Sequence, residues 1–289
     1  MRLDDGRESE NIEDRRGTRG GLRGGGRSIG IGTIVLALVA IYFGVDPSVV
    51  LNMGSGLPDA QQQEPAQPGV QSTGQSEQDG LARFTSRVLA DTEDTWGQVF
   101  QENGLAYKNP KLILFRGRVN SACGGATSAS GPFYCPADQQ VYLDLDFFRE
   151  MSQRFQASGD FAQAYVIAHE VGHHVQTLLG VSAKVNAARQ RGERVEGDGG
   201  LLVRQELQAD CLAGVWAHHA QRRHAWLEAG DLEEALNAAS AIGDDRLQKQ
   251  SRGQVVPDAF THGTSQQRVR WFSAGFESGQ PGRCDTFKA

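Results

Sequence analysis

From Asp160 to Leu179 the chain reads DFAQAYVIAHEVGHHVQTLL, an apolar run of helical length that holds His169 and His173 four positions apart. Four residues advance a helix by about 400°, one turn plus about 40°, so a helix brings both imidazoles to one face. The run predicts that helix, with Asp160 as its cap, Gln163 as the reciprocal partner and Gly180 as the stop. Two neutral ring nitrogens on one face suit a divalent zinc ion at about 2.0–2.1 Å. Glu170 stands one residue on from His169, beside the pair.

A zinc ion that does chemistry takes three protein ligands and keeps a fourth position open. Glu206 is read as the third. In Glu206-Leu207-Gln208-Ala209-Asp210 the two carboxylates stand one helical turn apart. Glu206 then binds the ion, and Asp210 accepts a hydrogen bond from a metal-bound histidine. His174 is turned about 140° from the line of His169, as Cys211 is from Glu206, and His218 and His219 lie about 18 Å farther along their helix. Glu193, Glu196 and Asp198, in a Gly-rich connection, stay open as alternative third ligands.

Residues 29–45, IGIGTIVLALVAIYFGV, carry no charge. As a helix they extend about 26 Å, enough for a bilayer core, and they are apolar on every face rather than along one stripe. Arg15, Arg16, Arg19, Arg23 and Arg27 precede the run, and no Lys or Arg follows it until Arg83. The positive-inside rule then predicts a single transmembrane helix with a cytoplasmic N-terminus and an exported domain, in the inner membrane and on its periplasmic side. Residues 1–28, charged and Gly-rich, read as a disordered cytoplasmic tail, and 46–80, rich in Gln and Pro, as a flexible linker. Residues 81–289 then form the folded domain. The net charge of −6 argues against a nucleic-acid partner.

Export favours disulfides among the four cysteines. Cys123 and Cys135 flank a Gly/Ser-rich loop and are expected to pair, leaving Cys211 for Cys284, with four free thiols as the alternative. Helical periodicity covers 81–103, strand-like runs follow at Leu112–Phe115 and Val141–Leu145, and helices are expected at 204–228, 231–250 and 265–276. The fold class is α+β, mostly helical with a small strand layer.

His169–His173 followed by Glu206 and Asp210 resembles the gluzincin pattern. More closely, the chain is similar to the neutral zinc metallopeptidase family of membrane-anchored bacterial HExxH peptidases, from its Arg-rich N-terminus to Cys284-Asp285-Thr286-Phe287. The resemblance implies a zincin-like domain, Zn²⁺ as cofactor, protein or peptide substrates, and Glu170 as general base. It also implies a substrate extended along an edge strand, for which Val141–Leu145 is the candidate, the rival reading being that this segment is core. Thr261-His262, with Arg268 six residues on, is similar to the Thr-His…Arg segment that follows the third ligand in membrane-bound gluzincins, although Gly263 stands where those enzymes have Pro. That likeness implies an active-site role for His262 as an oxyanion donor, with Arg268 nearby. Two other function classes remain open at this point: a zinc-stabilised binding module, and a hydrolase of non-peptide bonds. Glu170 argues against the first, since a structural zinc site is closed by four ligands and needs no carboxylate beside it.

Overall fold

Leu112, Ile113 and Leu114 are fully buried although they are successive residues of one strand, which requires a sheet covered on both faces. The computed structural model describes residues 1–3, 6–17, 70–155 and 157–288. The expected transmembrane helix at 29–45 lies outside them, as do 18–28 and the linker up to 69. Among the described residues no helix is long and apolar enough to cross a membrane.

The elements run β1 (Ile12–Asp14), α1 (Val70–Glu102), β2 (Lys111–Phe115), β3 (Arg118–Ser121), β4 (Gly124–Thr127), β5 (Phe133–Cys135), β6 (Gln140–Asp144), α2 (Asp146–Phe155) and α3 (Asp160–Leu178). They continue as α4 (Val181–Gln190), α5 (Leu201–His224), α6 (Asp231–Ala241), α7 (Asp244–Arg252) and α8 (Ser265–Ser278). The class is mixed α+β. One sheet has the order β1-β2-β6-β5, and β3 pairs with β4 as a separate ribbon. β1, β2 and β6 are parallel, while β5 runs antiparallel to β6. Side chains alternate across the sheet: Leu112, Leu114, Val141 and Leu143 join the helical core, and Ile113, Phe115 and Tyr142 form a second cluster with Val119 and Cys135.

The structure departs from four expectations. Met1 and Leu3 are buried in the core and Ile12–Asp14 forms a strand, so the described part of residues 1–17 is folded structure, not a disordered tail. α1 begins at Val70, inside the expected linker. Helix 231–250 is two helices, because the chain turns at Ile242-Gly243. Gly159, not Asp160, occupies the cap position of α3; the Asp160 carboxylate instead meets the Met1 ammonium at 2.9 Å, an interaction invisible to local reading.

α3 is buried along most of its length, which explains why its sequence is apolar nearly all round. Its approach to α5 is set by Gly172, where a Cβ would stand 3.0 Å from the Ala209 carbonyl oxygen. Gly275 plays the same part between α8 and α5, for its Cβ would fall 1.9 Å from the Cys211 carbonyl oxygen. The two glycines let three helices meet at backbone distance, and Glu206, Asp210 and Arg268 reach the histidine face of α3 from there. Cys211 is bonded to Cys284 across 73 residues and Cys123 to Cys135 across 12. The longer closure restrains the unfolded chain by about 4 kcal/mol.

Candidate metal centre

α3 and α5 bring three donors to one point. His169 Nε2 lies 3.2 Å from Glu206 Oε2, and His173 Nε2 lies 3.4 Å from Glu206 Oε1. The ligand atoms of the three residues all fall within 4.8 Å of one another.

The far side of each imidazole is held by an acceptor. Asp210 Oδ1 is 2.9 Å from His169 Nδ1, and a carboxylate can only accept, so Nδ1 donates, and a metal would take the Nε2 lone pair. Asp210 also receives Arg268 through Nε at 2.8 Å and Nη2 at 2.9 Å, and Tyr165 Oη at 2.5 Å. Burial opposes its charge, but the Arg268 charge and the His169 hydrogen bond outweigh that and hold the carboxyl at about 2. His173 Nδ1 is 2.9 Å from Gln176 Oε1. The Gln176 amide nitrogen donates to Gln205 O at 2.7 Å and Gln208 Oε1 at 3.0 Å, so its oxygen is the end that faces His173.

Glu206 is likewise ionised. Burial raises its carboxyl, yet the charge of His173 and the imidazole hydrogen bonds keep it well below the usual carboxylate range. Burial also opposes a proton on His169, but Asp210 and Glu206 outweigh it and lift the ring to about 10. The Asp210 charge is met by Arg268, and the ionised Glu206 faces both imidazoles at a point that a cation can fill. A zinc ion supplies that charge and leaves both imidazoles neutral, and two imidazoles with one carboxylate are a donor set it accepts. The residues fit the metal.

The remaining candidates take other places. His174 donates through Nε2 to Lys108 O at 2.6 Å and accepts from Tyr134 Oη at 3.0 Å, which ties β5 to α3. His218 and His219 bond the carbonyls of Phe276 and Gly279. Glu193 pairs with Arg191, and Asp198 accepts from Gln267. A second acidic group, Asp160, Asp231 and Glu234, is met by the Met1 ammonium, 2.9 Å from Asp160 and 3.0 Å from Asp231.

The centre opens into a cleft of about 400 Å³. Glu170 and His262 line it together with the three donors, Pro132, Phe133, Tyr134, Ile242 and Leu247. The strand that lines the cleft is β5. Val141–Leu145 is not an edge, because β6 is hydrogen-bonded on both sides, to β2 and to β5. The expectation failed because strand-like hydrophobicity marks the sheet's interior, whereas β5, three residues long, carries little signal.

His262 is half exposed, and its Nδ1 lies 3.4 Å from Asp244 Oδ1. Asp244 Oδ2 accepts the backbone N–H groups of Thr261, His262 and Gly263 at 2.7, 2.6 and 3.0 Å. Gly263 has φ of +87°, a conformation closed to Pro, so this loop depends on glycine where the resemblance had Pro. α8 then starts with the expected capping box of Thr264 and Gln267. Arg268 is buried against Asp210, and so acts by orienting the group that holds His169.

Over residues 1–287 the sequence matches the family described as putative neutral zinc metallopeptidase. The chain belongs to this family. An uncharacterized protein of Escherichia coli strain K12, YpfJ, is 52% identical over 294 residues, 99% of each chain. Uncharacterized proteins of Mycobacterium tuberculosis H37Rv (Rv2575) and Mycobacterium bovis (Mb2605) are each 43% identical over 217 residues, 72% of each chain. No solved structure matches. The neutral zinc metallopeptidase family implies Zn²⁺ as cofactor and protein or peptide as substrate.

Within this member of the neutral zinc metallopeptidases, three residues of the centre escaped sequence reading. Tyr165 and Gln176 precede His169 by four and follow His173 by three positions on the same helix, so helical spacing could have found them. Asp244 has no local signal, because it acts on a loop 17 to 19 residues away.

Proposed function

We propose that this chain is a zinc-dependent endopeptidase of gluzincin type and zincin-like fold, held at the inner membrane through residues 29–45 with its catalytic domain on the extracytoplasmic side. The observation that carries the reading is the convergence of His169, His173 and Glu206 in a cleft that also holds an uncommitted carboxylate, Glu170. A structural zinc site needs no such group. Membrane attachment rests on the uncharged run at 29–45, and the extracytoplasmic side on the two disulfides.

When bound, zinc supplies a Lewis acid that polarises a carbonyl and lowers the pKa of water toward about 7. Glu170 takes the proton from the attacking water and passes it to the leaving amine. His262, oriented by Asp244, donates to the oxyanion that develops on the scissile carbonyl. Asp210 and Gln176 keep both imidazoles in the tautomer that presents Nε2. The edge of β5 that no strand covers among the described residues offers backbone groups to an extended peptide, and His174 with Tyr134 sets the distance of that edge from the centre. The apolar side chains of Pro132, Ile242 and Leu247 along the cleft favour unfolded, hydrophobic segments over folded surfaces.

The test is incubation of the purified protein with an unfolded protein substrate, with and without a chelator, followed by mass spectrometry of the products. Internal cleavage that the chelator abolishes and zinc restores is expected. A zinc-loaded protein that cuts no peptide but captures it would turn the reading to a binding module.

A further inference from the structure

The N-terminal residues are built into the catalytic domain. Glu93 on α1 is 5% exposed and accepts from three side chains of this segment: Arg7 Nη2 at 2.9 Å, Ser9 Oγ at 2.6 Å and Asn11 Nδ2 at 2.8 Å. Remove the segment and a buried carboxylate is left without these donors, a costly state. Ile12–Asp14 then pairs in register with Leu112–Leu114, and Arg15 N extends the ladder to Leu114 O at 2.8 Å. Without β1, β2, four of whose residues are buried, would present a bare edge. The Met1 ammonium closes on Asp160 at the start of α3 and on Asp231 at the start of α6.

The segment also ends where the rest of the domain begins. Arg16 Nη1 donates to Gln78 O at 3.1 Å, and its Nη2 lies 3.5 Å from Asp79. The chain thus departs after residue 16 and is back within hydrogen-bond distance by residue 78. A hydrocarbon layer of about 30 Å cannot lie between groups in contact. Arg15 and Arg16, two of the five arginines behind the positive-inside argument, are paired with Glu13 and Asp14 within the domain.

We propose that residues 1–17 and the catalytic domain occupy the same side of the membrane, so that the chain between them does not cross it once. An even number of crossings requires a second apolar run, and 46–69, DPSVVLNMGSGLPDAQQQEPAQPG, contains none of that length. The sequence thus offers no pair of spans that would return the chain to its starting side. This replaces the single-pass topology expected from charge asymmetry.

The test reads topology alone, independent of zinc or peptidase activity. In the full-length chain expressed in bacterial cells, Glu10→Cys and Leu105→Cys each place one thiol at an exposed site; the four native cysteines are in disulfides. Spheroplasts are treated with a membrane-impermeant maleimide before or after lysis. Both sites reacting in intact spheroplasts, or both only after lysis, is the expected result. One site reacting in intact spheroplasts while the other waits for lysis overturns the proposal. A second variant, Ser9→Cys with Ser86→Cys, tests the docking itself in membranes, since Ser9 N lies 2.9 Å from Ser86 Oγ: oxidation should link them within one chain, and absence of the link overturns it.

Discussion

Gln176 accepts the Nδ1 proton of His173 at 2.9 Å while its amide nitrogen is anchored to Gln205 and Gln208 on α5. The glutamine cannot flip without breaking both anchors, so the ring of His173 is held in one tautomer. Gln176→Leu keeps bulk but loses the acceptor. Zinc affinity should fall roughly tenfold to a hundredfold, measured by competition with a chromophoric chelator. Unchanged affinity would show that His173 is oriented by packing alone.

His169→Ala, His173→Ala and Glu206→Ala each remove one of the three converging donors. Elemental analysis should find about one zinc per wild-type chain and little in these variants. If Glu206→Ala retains full zinc while a change at Glu193, Glu196 or Asp198 loses it, the third ligand is misassigned.

Glu170 lines the cleft and has no place among the three converging donors. Glu170→Gln should keep zinc and fold but lose nearly all peptide hydrolysis, because an amide cannot take the proton from water. Metal content and turnover in the same preparation check this, and wild-type turnover would remove Glu170 from the chemistry.

Asp244 gathers three backbone N–H groups of the loop on one oxygen and faces His262 with the other. His262→Ala should lower kcat by roughly a hundredfold, with KM and zinc little changed, as expected for one lost oxyanion donor. Asp244→Ala should follow in the same direction by freeing the loop. A kcat for His262→Ala within about threefold of wild type would return this histidine to an ordinary loop role.

The Met1 ammonium is raised from 8.0 to about 10: burial works against its charge, and the hydrogen bonds to Asp160 and Asp231 outweigh it. A folded-state pKa above the unfolded one means that this contribution is fully present below pH 8 and is lost as pH rises through about 10. Thermal melts should therefore show wild type more stable than Asp160→Asn at pH 7, with the gap closing by about pH 10.5. A gap that stays constant across that range would mean the carboxylate acts on the helix rather than on the ammonium.

Two kinds of relation separate what was legible in sequence from what was not. Periodicity along one helix places His169 and His173 on a common face, and one turn separates Glu206 from Asp210, because helical geometry converts sequence spacing into angle. The strand runs at Leu112–Phe115 and Val141–Leu145 were legible for a similar reason, since buried strands must be apolar.

Only tertiary structure decided which strand is the edge, what Asp160 bonds, and where residues 1–17 lie. β5 is an edge because, among the described residues, it pairs only with β6, and no local pattern records such an absence. Asp160 has the composition of a cap, but the ammonium that claims it sits 159 residues away in sequence. Arg15 and Arg16 followed a rule about membranes, while their partners Glu13, Asp14 and Asp79 obeyed the shorter range of ion pairing. Charge composition is additive along a chain; which charges meet is settled by folding, through contacts whose energy depends on distance rather than on sequence.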